Sequence, residues 1–504
     1  MEYGKDFRTC SVTGLKVHLP AQNLITINAV TSVVFLLVGG LMALLILLTR
    51  WPAVHLLPAD LFYRFLTLHA IAMLVAWIIF FEIAGLYFGA AVLLNSRLAA
   101  PKTAWLAYLL MLGGAAMVAV EILRGRADVM FTSYVPLQAS PAYYLGVILF
   151  AVGALIGCGV FFGTIVIARS EKTYTGSIPL VTFGLMAAAI IAVFTLACGA
   201  IIYIPTFLWS IGIISHIDPG IYRLVFWGFG HASQQINVCA MVACWYLLGA
   251  LTVGAKPLNE KICRSAFVLY ILFINLASEH HLLTDPTLSS AHKVANTSYF
   301  MYAAVLASLI HAMAIPAAVE VAQRKKGFTR GLFEWLVKAP WKEPGFSALI
   351  FSLLMFGFLG GITGVVIGTE QISIRAHNTW MITGHFHGTV VGGTTLAFMG
   401  TAYYLIPLIT RKQLVGKSLA SIQPFVFGIG ITLLSVGMMT AGTLGVPRRH
   451  WDITFADSLF PFSFDPSVLM FVSLAAVGGI LAAVGGAMFV GVSVSTLLFG
   501  KKMA

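Results

Sequence analysis

Arg375-Ala-His-Asn-Thr-Trp-Met-Ile-Thr-Gly-His-Phe-His387 runs straight into the apolar stretch from Gly388 to Pro407. The segment reads as the start of a membrane helix with two histidines, His385 and His387, inside it. An ionisable side chain within a bilayer is costly and points to function. Each helical residue turns by about 100°, so these two imidazoles point about 200° apart. One helix can therefore hold a metal on each of two opposite sides. Neutral imidazole suits iron and copper. The competing reading is a pair of structural histidines bonded to neighbouring helices, and the rest of the chain has to decide.

The chain has 504 residues, of which 59% are hydrophobic and 10% charged; soluble domains carry roughly a quarter charged residues. A span needs about 20 apolar residues. Twelve such segments occur, near 25–49, 65–94, 103–122, 141–168, 179–210, 221–250, 262–283, 294–320, 345–369, 378–408, 419–443 and 466–499. The expected architecture is all-α and integral to the membrane: a twelve-transmembrane-helix bundle forming a single domain over residues 1–504. The first 20 residues are polar, so no signal peptide is expected.

The net charge of +12 follows topology rather than a nucleic-acid partner. The termini and the loops after even-numbered segments hold more than twice as many Lys and Arg as the other loops. The positive-inside rule then puts both termini in the cytoplasm. A bacterial cytoplasmic membrane is the expected location, with membrane lipid as the surrounding partner. The six cysteines form no Cys-x-x-Cys or Cys-x-x-Cys-His, which excludes a c-type haem attachment, a zinc pair and a thiolate copper centre in this chain.

The remaining polar groups within the spans are few. His69 sits about one turn inside the outer end of the second segment, and Glu82 lies 13 residues on, roughly 20 Å deeper. That depth is too great to share a metal with His69; a buried carboxylate there suits a proton relay or a structural pairing. The sixth segment carries Gly230-His231-Ala-Ser-Gln-Gln235-Ile-Asn237, and His231 and Gln235 share a face. The seventh ends in Ser278-Glu279-His280-His281. Glu279 is placed there to take a second-shell hydrogen bond, bind metal or pass a proton. Beyond the eleventh segment, Val446-Pro-Arg448-Arg449 runs against the charge bias and needs an anion. By topology, six histidines from four segments share the outer half of the membrane, beneath Arg448 and Arg449. Independent structural histidines would not collect at one level.

As a set and in this order, Thr67-Leu-His69, Gly230-His231, His280-His281, His385-Phe-His387 and Val446-Pro-Arg448-Arg449 resemble the haem-copper oxidase superfamily, catalytic subunit I, across essentially all twelve segments. Ala339-Pro-Trp-Lys-Glu-Pro344 and His377-Asn-Thr-Trp380 look most like its B-type branch. The resemblance implies two haems and one copper or non-haem iron ion. His69 and His387 would be axial ligands of a low-spin haem, and His385 the proximal ligand of a high-spin haem. His231, His280 and His281 would bind the second metal. Arg448, Arg449, His377 and Arg375 would meet the haem propionates. An electron-donor subunit carrying cytochrome c or a cupredoxin-like domain is the implied partner.

One departure sets the functional expectation. A- and B-type oxidases carry His-Pro-x-x-Tyr on the sixth helix; here Gln235 holds the tyrosine's place. The C-type branch supplies a tyrosine six residues before the His pair; here that residue is Ile274. Four-electron cleavage of dioxygen is generally thought to draw one electron from that tyrosine. Joining two nitric oxide molecules takes only two electrons, and nitric oxide reductases of the superfamily lack the tyrosine. The expectation is a respiratory nitric oxide reductase, 2 NO + 2 e⁻ + 2 H⁺ → N₂O + H₂O, with Gln235 and Glu279 tuning or protonating the intermediate and Glu82 supplying protons. The alternative is a terminal oxygen reductase. A transporter or channel would be favoured only by a protein devoid of haem absorption.

Overall fold

The protein is described by a computed structural model covering residues 6–11, 13–274, 276–456, 458–459 and 464–503. A short hairpin, β1 (Phe7–Thr9) with β2 (Lys16–His18), precedes the helices. The long helices are α1 (Leu19–Arg50), α2 (Ala59–Val92), α3 (Pro101–Leu123), α4 (Pro141–Ser170), α5 (Leu180–Ser210), α6 (Pro219–Val253), α7 (Glu260–Ile274), α8 (Ser290–Lys325), α9 (Pro344–Ile367), α10 (Trp380–Thr410), α11 (Lys417–Thr443) and α12 (Pro466–Phe499). Among the described residues eleven of these are long and apolar enough to cross a membrane; α7 falls short.

The sequence reading carries the seventh span to residue 283, but its α-helix ends at Ile274. His280 and His281 ride instead on a separate tight turn, Ser278–Leu282, with 3₁₀ geometry. The break frees the carbonyl of Ala277, which accepts from His280 Nδ1 at 2.6 Å. Helix starts follow ordinary capping: Asp218 accepts from the Ile221 amide at 2.8 Å ahead of α6, with Pro219 in its first turn.

Burial sorts the helices by role. Within their most apolar windows α2, α6 and α10 are 72%, 72% and 83% buried, against 22% for α9 and 28% for α8. The inner three carry His69, His231, His385 and His387. Polar groups cannot face lipid, so the helices that bear them take the interior. Stretches of wider, π-type winding interrupt α2 (Ala72–Trp77), α8 (Ala295–Met301), α9 (Met355–Ile362) and α10 (His387–Thr395) around the bundle centre. Such turns gather at functional sites because they re-aim side chains.

The start of α10 is fixed on two sides. Trp380 N donates to Val446 O at 2.9 Å and Arg448 N to Asn378 O at 2.7 Å, tying the Arg448–Arg449 loop to the histidine helix. At Gly384, next to His385, a Cβ would stand 2.7 Å from both Met439 N and Ser435 O of α11. Only glycine allows that approach. Gly384→Val is expected to destabilise the protein by about 1–3 kcal/mol, read as a lowered thermal unfolding midpoint in detergent, whereas Ile382→Val should change it little.

Candidate active site at the histidine-bearing end of the bundle

The imidazole rings of His69 and His387 face each other with centroids 6.3 Å apart and planes 12° from parallel. His69 Nδ1 lies 2.9 Å from Gly39 O, and His387 Nδ1 lies 2.8 Å from Thr383 O. Both Nε2 atoms are thereby left for the space between the rings. Two metal–imidazole bonds of about 2 Å plus about 1.1 Å from each nitrogen to its ring centre span about 6.2 Å. The separation matches one metal held axially by both rings. His385, on the opposite side of α10, lies with Nδ1 2.9 Å from Thr363 Oγ1, so its Nε2 is the nitrogen left over.

His231, His280 and His281 form a second group, with one ligand atom from each lying within 4.8 Å of the others. His231 Nδ1 is 3.1 Å from His281 Nε2. The His281 ring stacks on Trp227 at 3.9 Å, and Trp227 donates to Tyr134 at 2.7 Å. Gln235 lies 3.1 Å from His231 Nε2 through its amide. A metal on Nδ1 requires a proton on Nε2, and the amide then offers its oxygen to accept it; amide orientation is interchangeable at this level. A three-imidazole shell with each ring steadied from behind suits copper or iron.

All six histidines, with Gln235, Arg448 and Arg449, line one cavity of about 300 Å³. Above it a polar cavity is lined by Arg448, Arg449, His377, Arg223, Asp285 and Tyr134. Burial pushes the Arg448 guanidinium down to about 9 and lowers Arg449 as well. Neither makes an ion pair among the described residues. Arg223 pairs with Asp285 at 2.9 Å. A third cavity, about 190 Å³ and almost wholly apolar, shares Leu74 and Phe131 with the first. Val152, Leu155 and Ile204 in its wall are exposed on the bundle surface. Such lining suits a small neutral gas arriving from lipid.

Two residues depart from expectation. Arg375 is exposed on the short helix Glu370–Ala376 and lines neither the histidine cavity nor the polar one above it. Glu279 turns from the cavity and pairs with His292 at the start of α8. Its neighbour His280 points inward, and consecutive residues on a tight turn diverge. Glu82 is buried in the wall of the apolar cavity. With its amide turned to satisfy both ends, Asn237 donates to Glu82 at 3.0 Å. In that orientation the Asn237 amide oxygen faces the side-chain amide of Gln234, which lines the histidine cavity, at 3.1 Å.

Arg50 was not legible as part of the site. It ends α1, where it reads as a boundary cation, yet it is 3% exposed. It donates to Pro447 O at 2.6 Å and Arg448 O at 2.7 Å and lies over Trp380 at 4.2 Å. Arg50 thus fastens the two-arginine loop to α10.

A family model described as cytochrome C and quinol oxidase polypeptide I matches residues 23–486. The chain belongs to the haem-copper oxidase subunit I family. Cytochrome c oxidase subunit 1 of Thermus thermophilus is 30% identical over 424 residues, covering 82% of this chain and 73% of the relative. The subunit of the same name from Synechocystis is 24% identical over 459 residues, covering 84% and 77%. A heme-copper terminal oxidase solved by cryo-EM as a dimer superposes with a TM-score of 0.89 at 26% identity, covering 96% of this chain and 85% of that one. Members of the family are membrane-embedded oxidoreductases of respiratory electron transport that bind haem and a metal at a binuclear centre. The residues here fit those groups: the 6.3 Å slot, the Nε2 of His385, the three-imidazole cluster and the two buried arginines, which make no ion pair among the described residues.

Two variants test whether His387 and His385 hold separate haems. If they do, His387→Ala abolishes the low-spin absorption and leaves the high-spin band, and His385→Ala does the reverse. Each should lose about half of the bound haem, measured by pyridine haemochrome assay.

Proposed function

We propose that this chain is the catalytic subunit of a respiratory nitric oxide reductase, catalysing 2 NO + 2 e⁻ + 2 H⁺ → N₂O + H₂O. In this reading residues 1–504 form one catalytic domain in a bacterial cytoplasmic membrane, with both termini inside. His69 and His387 hold a low-spin haem that relays electrons. His385 holds a high-spin haem, while His231, His280 and His281 hold copper or non-haem iron. Arg448, Arg449 and His377 neutralise propionates; Arg375 has no part in this. When bound, the haem iron and second metal supply the two electrons that N–N coupling takes.

The observation that carries the reading is the amide of Gln235 against His231 Nε2 at 3.1 Å, where a tyrosine would otherwise stand. An amide orients a bound gas by hydrogen bonding but gives up neither an electron nor a proton. Glu82, in contact with Asn237, which in turn faces Gln234, is the inner proton source. Glu279 pairs with His292 and so acts as a proton inlet from the side that charge bias assigns to the outside. Electrons come from a partner subunit carrying cytochrome c or a cupredoxin-like domain.

A second reading, a terminal oxygen reductase, is favoured by two observations. The relatives are named cytochrome c oxidase, and a phenol, Tyr270, lines the histidine cavity. Anaerobic product analysis separates the two. The first reading expects N₂O from NO with negligible oxygen uptake, and a Gln235→Leu variant about tenfold slower, equivalent to about 1.4 kcal/mol in the barrier. Rapid oxygen reduction without N₂O would establish the second reading instead.

A further inference from the structure

At the end of the bundle away from the histidines, α8 and α9 are joined by a basic loop. Between residues 324 and 342, Arg324, Lys325, Lys326, Arg330, Lys338 and Lys342 stand against one carboxylate, Glu334. The carboxylates nearby are engaged. Glu320 pairs with Arg324 at 2.7 Å, Glu334 accepts from the Arg330 amide at 2.6 Å, and Glu343 accepts from the Tyr404 hydroxyl at 3.1 Å. Lys325, Lys326, Arg330, Lys338 and Lys342 are exposed and make no ion pair among the described residues. Beside them Leu332, Phe333 and Val337 are 68%, 61% and 69% exposed. Phe333 and Val337 lie four apart across the turn Glu334–Val337 and so share a face. The loop's own hydrogen bonds hold these side chains out. Trp335 is buried and donates to Leu332 O at 2.9 Å, Gln323 of α8 donates to Trp335 O at 3.3 Å, and Trp341 donates to Leu336 O at 2.8 Å.

We propose that this loop binds anionic phospholipid of the adjoining leaflet, with its lysines and Arg330 on headgroup phosphates and Leu332, Phe333 and Val337 in the acyl boundary. Three large apolar side chains held out into water would be poorly placed. At the headgroup level acyl chains cover them while the cations meet negative charge. Lipid is the occupant because of what the loop joins. Among the eleven spans α8 and α9 have the least buried apolar windows, 28% and 22%, so the surface continuing from the loop is the one most given over to lipid. The two helices also wall the histidine cavity, through Val305 and Ser308 of α8 and Gly360 and Gly364 of α9. Lipid gripped at their shared loop therefore braces that wall from the opposite end. The inference does not depend on which gas the site reduces.

The test places the purified holoprotein in nanodiscs of equal parts phosphatidylglycerol and phosphatidylcholine, with one or the other lipid carrying a photoactivatable acyl chain. After illumination the cross-linked peptides are mapped by mass spectrometry. Phosphatidylglycerol is expected to label residues 331–341 about threefold or more above phosphatidylcholine, and the excess should shrink as salt is raised. When Lys325→Gln, Lys326→Gln, Lys338→Gln and Lys342→Gln are combined, the two lipids should label equally. Lys256→Gln with Lys261→Gln, at the start of α7, should leave the excess intact. Haem absorption kept in both variants shows that the fold survives. Equal labelling by the two lipids in the unmodified protein would overturn the proposal, as would an excess that survives loss of the four lysines. A loop that neither lipid labels, because a co-purified protein covers it, would overturn it too.

Discussion

In the helices that meet at the histidine-bearing end, an imidazole is held by one ring nitrogen and presents the other. Gly39 O and Thr383 O take Nδ1 of His69 and His387; Thr363 Oγ1 takes that of His385, and Ala277 O that of His280. Gln235 engages Nε2 of His231, and Trp227 stacks on His281. In a low-dielectric interior a polar atom left unpaired is costly, so these bonds fix both tautomer and ring direction. All six rings line one cavity, with His69 and His387 6.3 Å apart and one ligand atom each of His231, His280 and His281 within 4.8 Å of the others. The directions of all six rings follow from backbone carbonyls, a threonine, an amide and an indole, none of which would touch a metal itself.

The geometry depends in turn on how α10 is seated. Gly384 lets it approach α11 closely, and Val446 O and Asn378 O lace its start to the loop carrying Arg448 and Arg449. Arg50 reaches from the end of α1 to hold the same loop by two backbone carbonyls. The loop that carries the cations above the site is therefore fastened to the helix that carries His385 and His387. Arg448 is depressed to about 9 by burial, and an anion seated beside it would offset that cost.

Much of this was legible in the sequence, and what was not has physical causes. The His385-Phe-His387 spacing sets opposite directions through helical period alone, and the structure has the two rings engaged on opposite sides. Topology put six histidines at one level, and they line one cavity. Residue type and depth do not specify side-chain direction on a tight turn, however, which is why Glu279 meets His292 and not the cavity. Arg375 shares the level of Arg448 but sits on an exposed helical turn. Tyr270 escaped because counting back from His280 assumes an unbroken helix, and the regular winding of α7 stops at Ile274. Arg50 escaped because a basic residue at a helix end ordinarily marks the membrane surface, and its two carbonyl partners lie about 400 residues away in the chain.

The central claim is that these six imidazoles grip two haem irons and one further metal. Haem and metal quantification of the purified protein tests it most directly. The account predicts two haems per chain, one low-spin and one high-spin, together with one copper or one non-haem iron. A single haem per chain, or two haems with no further metal, would contradict it.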